Sequence, residues 1–87
     1  MEIIYSDKAL DHIKYWKKSG NKVVQKKIAE LLEDIMLHPF SGKGQPEHLK
    51  YGFSRFWSRR INKANRIMYT VEAETIYIHS LKGHYNQ

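Results

Sequence analysis

The sequence predicts an α+β fold in which two N-terminal helices pack on one face of a twisted, mainly antiparallel sheet, in the order β-α-α-β-β-β-β. Apolar residues recur at three- and four-residue spacing in the first half of the chain and alternate with polar residues in the second half. A Gly/Pro loop at residues 41–46 separates the two patterns. The length of 87 residues favours one domain, residues 1–87, with one modest core.

The chain begins with a β-branched and aromatic run at residues 2–5, which predicts a short strand. Ser6 or Asp7 is suited to cap the helix that follows, because both side chains can accept a hydrogen bond from a free backbone N–H. Apolar residues spaced by three and four predict this first helix over residues 8–18. Ser19-Gly20 closes it.

Asn21 is suited to cap a second helix, and His38-Pro39 ends that helix because the residue before proline disfavours the helical region. Its apolar stripe consists of Val24, Ile28, Leu31, Leu32 and Ile35. After the Gly/Pro loop the alternating pattern predicts four consecutive strands with short links, which form an antiparallel meander. These strands span about residues 47–51, 55–62, 65–71 and 75–81.

Alternation within the predicted strands assigns each arginine to a face of the sheet. Arg66 lies opposite in parity to the apolar Ile67, so it is expected on the face away from the helices. Arg59 shares its parity with Trp57, whereas Arg60 falls on the other face. We therefore expect Arg60 to reach a ligand and Arg59 to lay its aliphatic stem over the edge of the core or to contact a protein partner.

The positive charge is concentrated in the second half of the chain. The formal net charge is +6, and residues 41–87 contribute eight Lys or Arg against three Glu. Residues 48–71 contain six basic residues and no acid, which indicates a polyanionic partner. The chain lacks cysteine, and its N-terminal segment has neither the basic start nor the apolar run of a signal peptide. We expect a soluble cytoplasmic protein without a membrane partner.

The residues needed to cut RNA without a metal are present in the second half. Such a reaction needs a base for the ribose 2′-OH, cations for the phosphate and an acid for the leaving 5′-oxygen. Glu47 begins the first meander strand, with Lys50 three residues later. Arg60 and Arg66 lie on the next two strands, and His84-Tyr85 follows the last. A sheet can bring these side chains together.

The chain resembles the YoeB-type toxins of the RelE/ParE superfamily of bacterial toxin–antitoxin systems over nearly its full length. The motifs that carry the resemblance are Pro39-Phe40-Ser41-Gly42-Lys43-Gly44-Gln45-Pro46-Glu47-His48-Leu49-Lys50, Phe56-Trp57-Ser58-Arg59-Arg60-Ile61, Arg66-Ile67-Met68-Tyr69 and Gly83-His84-Tyr85. Chains of this family often end at the His-Tyr pair, whereas Asn86 and Gln87 follow it here. The resemblance implies a RelE-like, microbial-RNase-like fold.

The resemblance also implies an endoribonuclease that cleaves mRNA in the ribosomal A site and inhibits translation. Glu47 is then the general base, His84 the general acid, Arg66 the stabiliser of the transition state and Tyr85 a residue that orients the substrate. Two further cations are implied as phosphate-binding or charge-stabilising neighbours, Lys50 and Arg60. The implied partners are mRNA, the ribosome and a partly disordered YefM-like antitoxin, and a homodimer is compatible with the family.

Other interpretations of the same residues remain open. Glu47 can be an ordinary solvated carboxylate, and Arg66 can be a solubilising surface residue beside a turn. The chain can then be a non-catalytic member of the superfamily that poisons gyrase or binds RNA, or a protein whose basic face serves only an acidic antitoxin segment. The spacing of the histidines suggests no metal site, and we assign neither a metal nor a cofactor.

Overall fold

The computed structural model of the chain describes residues 1–50, 52 and 54–84. The elements in this part are β1 (Glu2–Tyr5), α1 (Asp7–Ser19), α2 (Lys22–Leu37), β2 (Glu47–His48), β3 (Trp57–Asn62), β4 (Asn65–Glu72) and β5 (Thr75–Ser80). The strands form one sheet in the order β1-β5-β4-β3-β2, in which β1 is parallel to β5 and the other neighbours are antiparallel. The predicted α+β fold with two helices packed on a mainly antiparallel sheet is confirmed.

Both helices lie where the sequence indicates, and α1 extends one residue beyond its predicted bounds at each end. The Ser6 hydroxyl accepts a hydrogen bond from the Ala9 N–H at 3.0 Å and caps α1. Gly20 ends α1 in the left-handed conformation at φ 73°, which glycine adopts without a Cβ clash. The Asn21 side chain caps α2 by accepting from the Val24 N–H at 3.0 Å. The cap residues therefore fix where each helix starts.

The core lies between the two helices and one face of the sheet. It contains Ala9, Trp16, Val24, Ile28, Leu31, Ile35, Ile61, Ile67, Tyr69, Ile76, Ile78 and Leu81. The stripe predicted for α2 supplies four of these residues, while Leu32 packs half-buried at the margin. None of the helices in the described ranges is long and apolar enough to cross a membrane.

The first two meander strands are shorter than predicted. The strand expected at residues 47–51 is confined to Glu47–His48, and the strand expected from residue 55 begins at Trp57. The backbone pairing continues one residue further, since the Leu49 N–H donates to the Phe56 carbonyl at 3.0 Å. Tyr51 lies outside the described residues. The strand that carries Glu47 is thus a two-residue edge strand.

The face of the sheet opposite the helices carries small hydroxyl residues along its centre. Ser58 on β3 pairs with Met68 on β4, and Met68 pairs with Ser80 on β5. Ser58, Thr70 and Ser80 are all buried. The register shifts between Met68 and Tyr69, which leaves one extra residue in β5 and increases the local twist.

Candidate functional site

Two arginines lie directly opposite each other on neighbouring strands. Arg60 on β3 and Arg66 on β4 are register partners, so their side chains leave the same face of the sheet. Like charges in this arrangement repel each other, and an anion between them removes the repulsion. The predicted placement of Arg60 and Arg66 on the face away from the core agrees with the burial of Ile61 and Ile67 on the helix side.

Glu47 lies within reach of Arg66, although β3 runs between their strands. The Glu47 Oε1 atom is 3.9 Å from the Arg66 Nη1 atom. The Arg66 side chain is 19% exposed and that of Glu47 is 51% exposed. Ser58 is the register partner of Glu47 on the intervening strand, and its small side chain leaves room for the arginine to reach across. The structure therefore brings the predicted base next to the predicted transition-state cation.

The two predicted phosphate-binding residues lie at different depths. Arg60 is half-buried and lines an open cleft of about 300 Å³ together with Lys27, Gly44, Gln45 and Ile61. Lys50 is exposed and follows the buried Leu49 just past the edge strand. Lys50 follows Glu47 by three residues, and Arg60 lies two residues after Ser58, the register partner of Glu47.

A network of hydrogen bonds anchors the chain segment that leads to His84. The Leu81 N–H donates to His12 Nδ1 at 2.9 Å, and the Leu81 carbonyl accepts from Trp16 Nε1 at 2.8 Å. Gly83 adopts φ 81°, and its carbonyl accepts from the Arg66 N–H at 3.0 Å. The C-terminal segment therefore runs beside the start of β4.

His84 is exposed and lies beside the turn between β3 and β4. Its Nε2 atom donates a hydrogen bond to the Lys63 carbonyl at 2.9 Å, because a carbonyl can only accept. Since Gly83 adjoins Arg66, the cation lies between the strand of Glu47 and the segment of His84. Tyr85, the residue expected to orient the substrate, lies outside the described residues.

Besides Arg66, two of the six cations counted between residues 48 and 71 form ion pairs with acids that lie outside that interval in the sequence. Arg55 forms an exposed ion pair with Glu72 at 2.6 Å. Arg59 forms a buried ion pair with Asp34 at 2.7 Å. The positive charge of the candidate site therefore rests on fewer residues than the sequence count suggests.

The prediction for Arg59 was correct for the face and wrong for the depth. Parity placed Arg59 on the core side, where it does lie, but its guanidinium is buried as well as its stem. The side chain is 0% exposed and is therefore not available to a protein partner. The reason is a set of acceptors around the guanidinium, among them Asp34 and the hydroxyl of Tyr69.

Sequence reasoning missed His12 and Asp34. Burial, with help from Lys8 and Lys82, lowers the pKa of His12, in keeping with its neutral Nδ1 accepting from Leu81. The Arg59 hydrogen bond, followed by that of the Lys43 N–H, lowers the pKa of Asp34. The core-side placement of Arg59, predicted from parity, was the one signal that called for such an acid. Among the residues that the structure describes, no three His, Asp or Glu side chains group as metal ligands.

Comparison with known proteins places the chain in a family. The profile of the family described as "YoeB-like toxin of bacterial type II toxin-antitoxin system" matches residues 5–85. Toxin YoeB of Escherichia coli (strain K12) is 41% identical over 85 residues, which cover 98% of this chain and all of that protein.

Solved structures give the same result. The YoeB dimer from Staphylococcus aureus superposes with a TM-score of 0.87 at 40% identity, covering 98% of both chains. The toxin in the heterotetrameric YoeB-YefM toxin-antitoxin complex from Staphylococcus aureus superposes with a TM-score of 0.86 at 40% identity and the same coverage. The chain belongs to the YoeB-like toxins of bacterial type II toxin–antitoxin systems.

Proposed function

We propose that this toxin is an endoribonuclease that cleaves mRNA in the ribosomal A site by attack of a ribose 2′-OH on the adjacent phosphate, and so inhibits translation. The observation that carries the proposal is the approach of Glu47 to Arg66 beside the cross-strand Arg60. A carboxylate beside two cations offers a proton acceptor and a site for a phosphate in one place. A protein that only binds polyanions gains nothing from the carboxylate, which repels them.

Each step of the reaction has a residue to carry it. Glu47 takes the proton from the 2′-OH, whose oxygen then attacks the phosphorus. Arg66, with Lys50 and Arg60 as neighbours, balances the charge that grows on the phosphate oxygens. The bond from phosphorus to the 5′-oxygen breaks, and His84 gives that oxygen a proton. The products are a 2′,3′-cyclic phosphate, which water opens to a 3′-phosphate, and a 5′-hydroxyl.

The order of the strands supports these roles. An in-line displacement requires the base and the acid on opposite sides of the phosphorus, and Arg66 lies between the strand of Glu47 and the segment of His84. His84 must leave the Lys63 carbonyl and turn toward the leaving oxygen when RNA binds. The proposed orientation of substrate by Tyr85 rests on the resemblance to the family alone.

The proposed partners follow from the relatives. The Staphylococcus aureus toxin is found both as a dimer and in a heterotetrameric complex with YefM. We extend this to a YefM-like antitoxin and a homodimer for the present chain, with residues 1–87 as one toxin domain that acts in the cytoplasm. The ribosome supplies the mRNA and the rest of the pocket.

The test maps mRNA 5′ ends in cells that express Glu47→Gln, Arg66→Ala or His84→Ala. We expect new 5′ ends within translated codons for the unsubstituted toxin and a loss of about 100-fold or more for Glu47→Gln and His84→Ala, the usual contribution of an acid or base. Undiminished cleavage by either variant contradicts the proposal. The unfolding temperature of each purified variant separates lost chemistry from lost folding.

Arg55→Ala is the matched control for Arg66→Ala. Both arginines pair with a glutamate, but Glu72 lies at the opposite end of β4 from Arg66, roughly 20 Å away at the usual rise per strand residue. Arg55→Ala is expected to keep the cleavage pattern. A toxin that acts by binding alone predicts instead that growth arrest survives Glu47→Gln without new 5′ ends.

A further inference from the structure

On the helix side of the sheet, every N–H group of the Arg59 guanidinium has a hydrogen-bond acceptor. Arginine has five N–H groups, and all five have acceptors here. Nε donates to the Tyr69 hydroxyl at 3.0 Å, and Nη1 donates to Asp34 Oδ2 at 2.7 Å. The other three N–H groups donate to backbone carbonyls of one loop, those of His38, Ser41 and Lys43. We call Arg59, Asp34 and Tyr69 the clasp.

The clasp holds the loop of residues 38–44 at several further points. The Tyr69 hydroxyl donates to the Pro39 carbonyl at 2.7 Å, and Asp34 Oδ2 accepts from the Lys43 N–H at 2.9 Å. The loop lies so close that a Cβ added at Gly42 would fall 2.2 Å from Asp34 Oδ2. The three side chains come from α2, β3 and β4, so the loop is fixed relative to three separate elements.

The end of this loop is tied to the strand that carries Arg60. The Arg60 N–H donates to the Gly44 carbonyl at 2.6 Å. Only Gln45 and Pro46 separate Gly44 from Glu47, and Gln45 adopts φ 51°, which is costly for a residue other than glycine. Because this link has only two residues and Gln45 is strained, the position of Gly44 restricts the position of Glu47.

On its C-terminal side, Glu47 belongs to a short edge strand. Within the described residues, its strand pairs with β3 through Glu47 with Ser58 and His48 with Trp57, and one further backbone hydrogen bond joins the Leu49 N–H to the Phe56 carbonyl. An edge pairing of this length frays easily, because terminal pairs exchange their hydrogen bonds with water. The fixed loop on the N-terminal side therefore adds to how steadily the carboxylate is held near Arg66.

We infer that Arg59, Asp34 and Tyr69 are positioning residues for the reaction proposed above, and that the clasp holds Glu47 in place for proton abstraction through the loop of residues 38–44. This rests on the proposed function of Glu47. The adjacent arginines thus have different roles. Arg60 faces the substrate, whereas Arg59, on the other side of the sheet, positions the Glu47 carboxylate. None of the three clasp residues touches the RNA.

The test uses Tyr69→Phe, which removes only the hydroxyl between Arg59 and Pro39, and Asp34→Asn, which removes the charge that pairs with Arg59. Single-turnover cleavage of mRNA on programmed ribosomes is measured across toxin concentrations. We expect the maximal rate to fall about 10- to 100-fold, the range associated with a misplacement of about 1 Å. The half-saturating concentration should change less than about threefold, because the cations on the other face are untouched.

Ile76→Val is the control for lost stability. Ile76 is fully buried on β5 and belongs to the core, but it is not part of the clasp. Loss of one buried methyl group lowers the free energy of unfolding while leaving the clasp intact. At matched loss of unfolding free energy, Ile76→Val should cleave at the unsubstituted rate. An equal loss of rate in Ile76→Val and Tyr69→Phe would show a merely structural role and overturn the inference.

A double-mutant cycle shows whether the clasp acts through Glu47. If it does, adding Tyr69→Phe or Asp34→Asn to Glu47→Gln causes no further loss of rate, since the group being positioned is already gone. Multiplication of the two losses overturns the inference. Failure of the proposed function looks different: Glu47→Gln alone would then cleave like the unsubstituted toxin, whatever the clasp variants do.

Discussion

Gly44→Ala, set against Gly20→Ala, isolates the close approach of the loop of residues 38–44 to the core. Both glycines have positive φ, 79° at Gly44 and 73° at Gly20. A Cβ at Gly20 meets nothing within 4 Å, whereas a Cβ at Gly44 falls 2.7 Å from Leu31 Cδ2 and 3.2 Å from the Arg60 carbonyl oxygen. The two substitutions therefore share a backbone cost and differ in a steric one.

The magnitudes follow from these distances. The left-handed conformation costs alanine about 1–2 kcal/mol, of which about 0.4–1 kcal/mol is recovered because the unfolded chain becomes less flexible. Gly20→Ala should therefore lower the free energy of unfolding by about 1 kcal/mol. Leu31 is fully buried and its methyl group has little room to move, so Gly44→Ala should lose about 1–3 kcal/mol more.

Urea unfolding followed by the fluorescence of Trp16 and Trp57 measures both losses. Trp16 packs between the helices and the sheet, and Trp57 lies at the start of β3, so the signal reports on the whole fold. Equal losses for Gly20→Ala and Gly44→Ala would refute the close packing of this loop. Gly44→Ala should also slow RNA cleavage in the absence of urea, where the variant is fully folded, since Glu47 follows three residues later.

Three further predictions concern the C-terminal anchor and the sheet. Trp16→Phe leaves the Leu81 carbonyl buried without its donor. Thermal unfolding monitored by circular dichroism should therefore show a free energy of unfolding lower by about 1–3 kcal/mol. An unchanged unfolding temperature would contradict that hydrogen bond. Because the pKa of His12 is lowered in the folded state, the unfolded chain binds the proton first as the pH falls below about 6.5, and acid therefore destabilises the fold. Between about pH 7 and pH 5, His12→Gln should lose less free energy of unfolding than the parent in urea titrations. Parallel pH slopes would rule this out. In urea titrations, Ser58→Ala should leave the free energy of unfolding unchanged or raise it by about 1 kcal/mol, because the buried Ser58 hydroxyl has no hydrogen-bond partner among the described residues. A clear loss of stability would count against this.

The helices were predictable because their signals are local. The caps Ser6, Gly20 and Asn21 lie within a few residues of the backbone groups that they contact, and the apolar stripe of α2 follows from the spacing within that one helix. Strand parity likewise placed Arg66 and Ile67 on opposite faces, since alternation needs no knowledge of the neighbouring strand. These features require only the geometry of one element.

The remaining features depend on contacts between distant residues. Asp34 and Arg59 are 25 residues apart, and nothing in the local sequence of either names the other as its partner. Glu47 and Arg66 lie on strands separated by β3, and they come within reach across the small Ser58. The pairing of β1 with β5 is equally non-local. Residues 2–5 predict a strand, but their sequence does not indicate which strand lies beside it.

Chemically altered mRNA tests the proposed reaction most directly. If Glu47 activates a ribose 2′-OH, a single 2′-deoxynucleotide on the 5′ side of the cut removes the nucleophile, whereas the phosphate and the bases stay the same. On programmed ribosomes this substitution should abolish cleavage at that position, and the unmodified mRNA should yield a 2′,3′-cyclic phosphate or 3′-phosphate with a 5′-hydroxyl. Cleavage of the deoxy-substituted mRNA at an undiminished rate would contradict the mechanism.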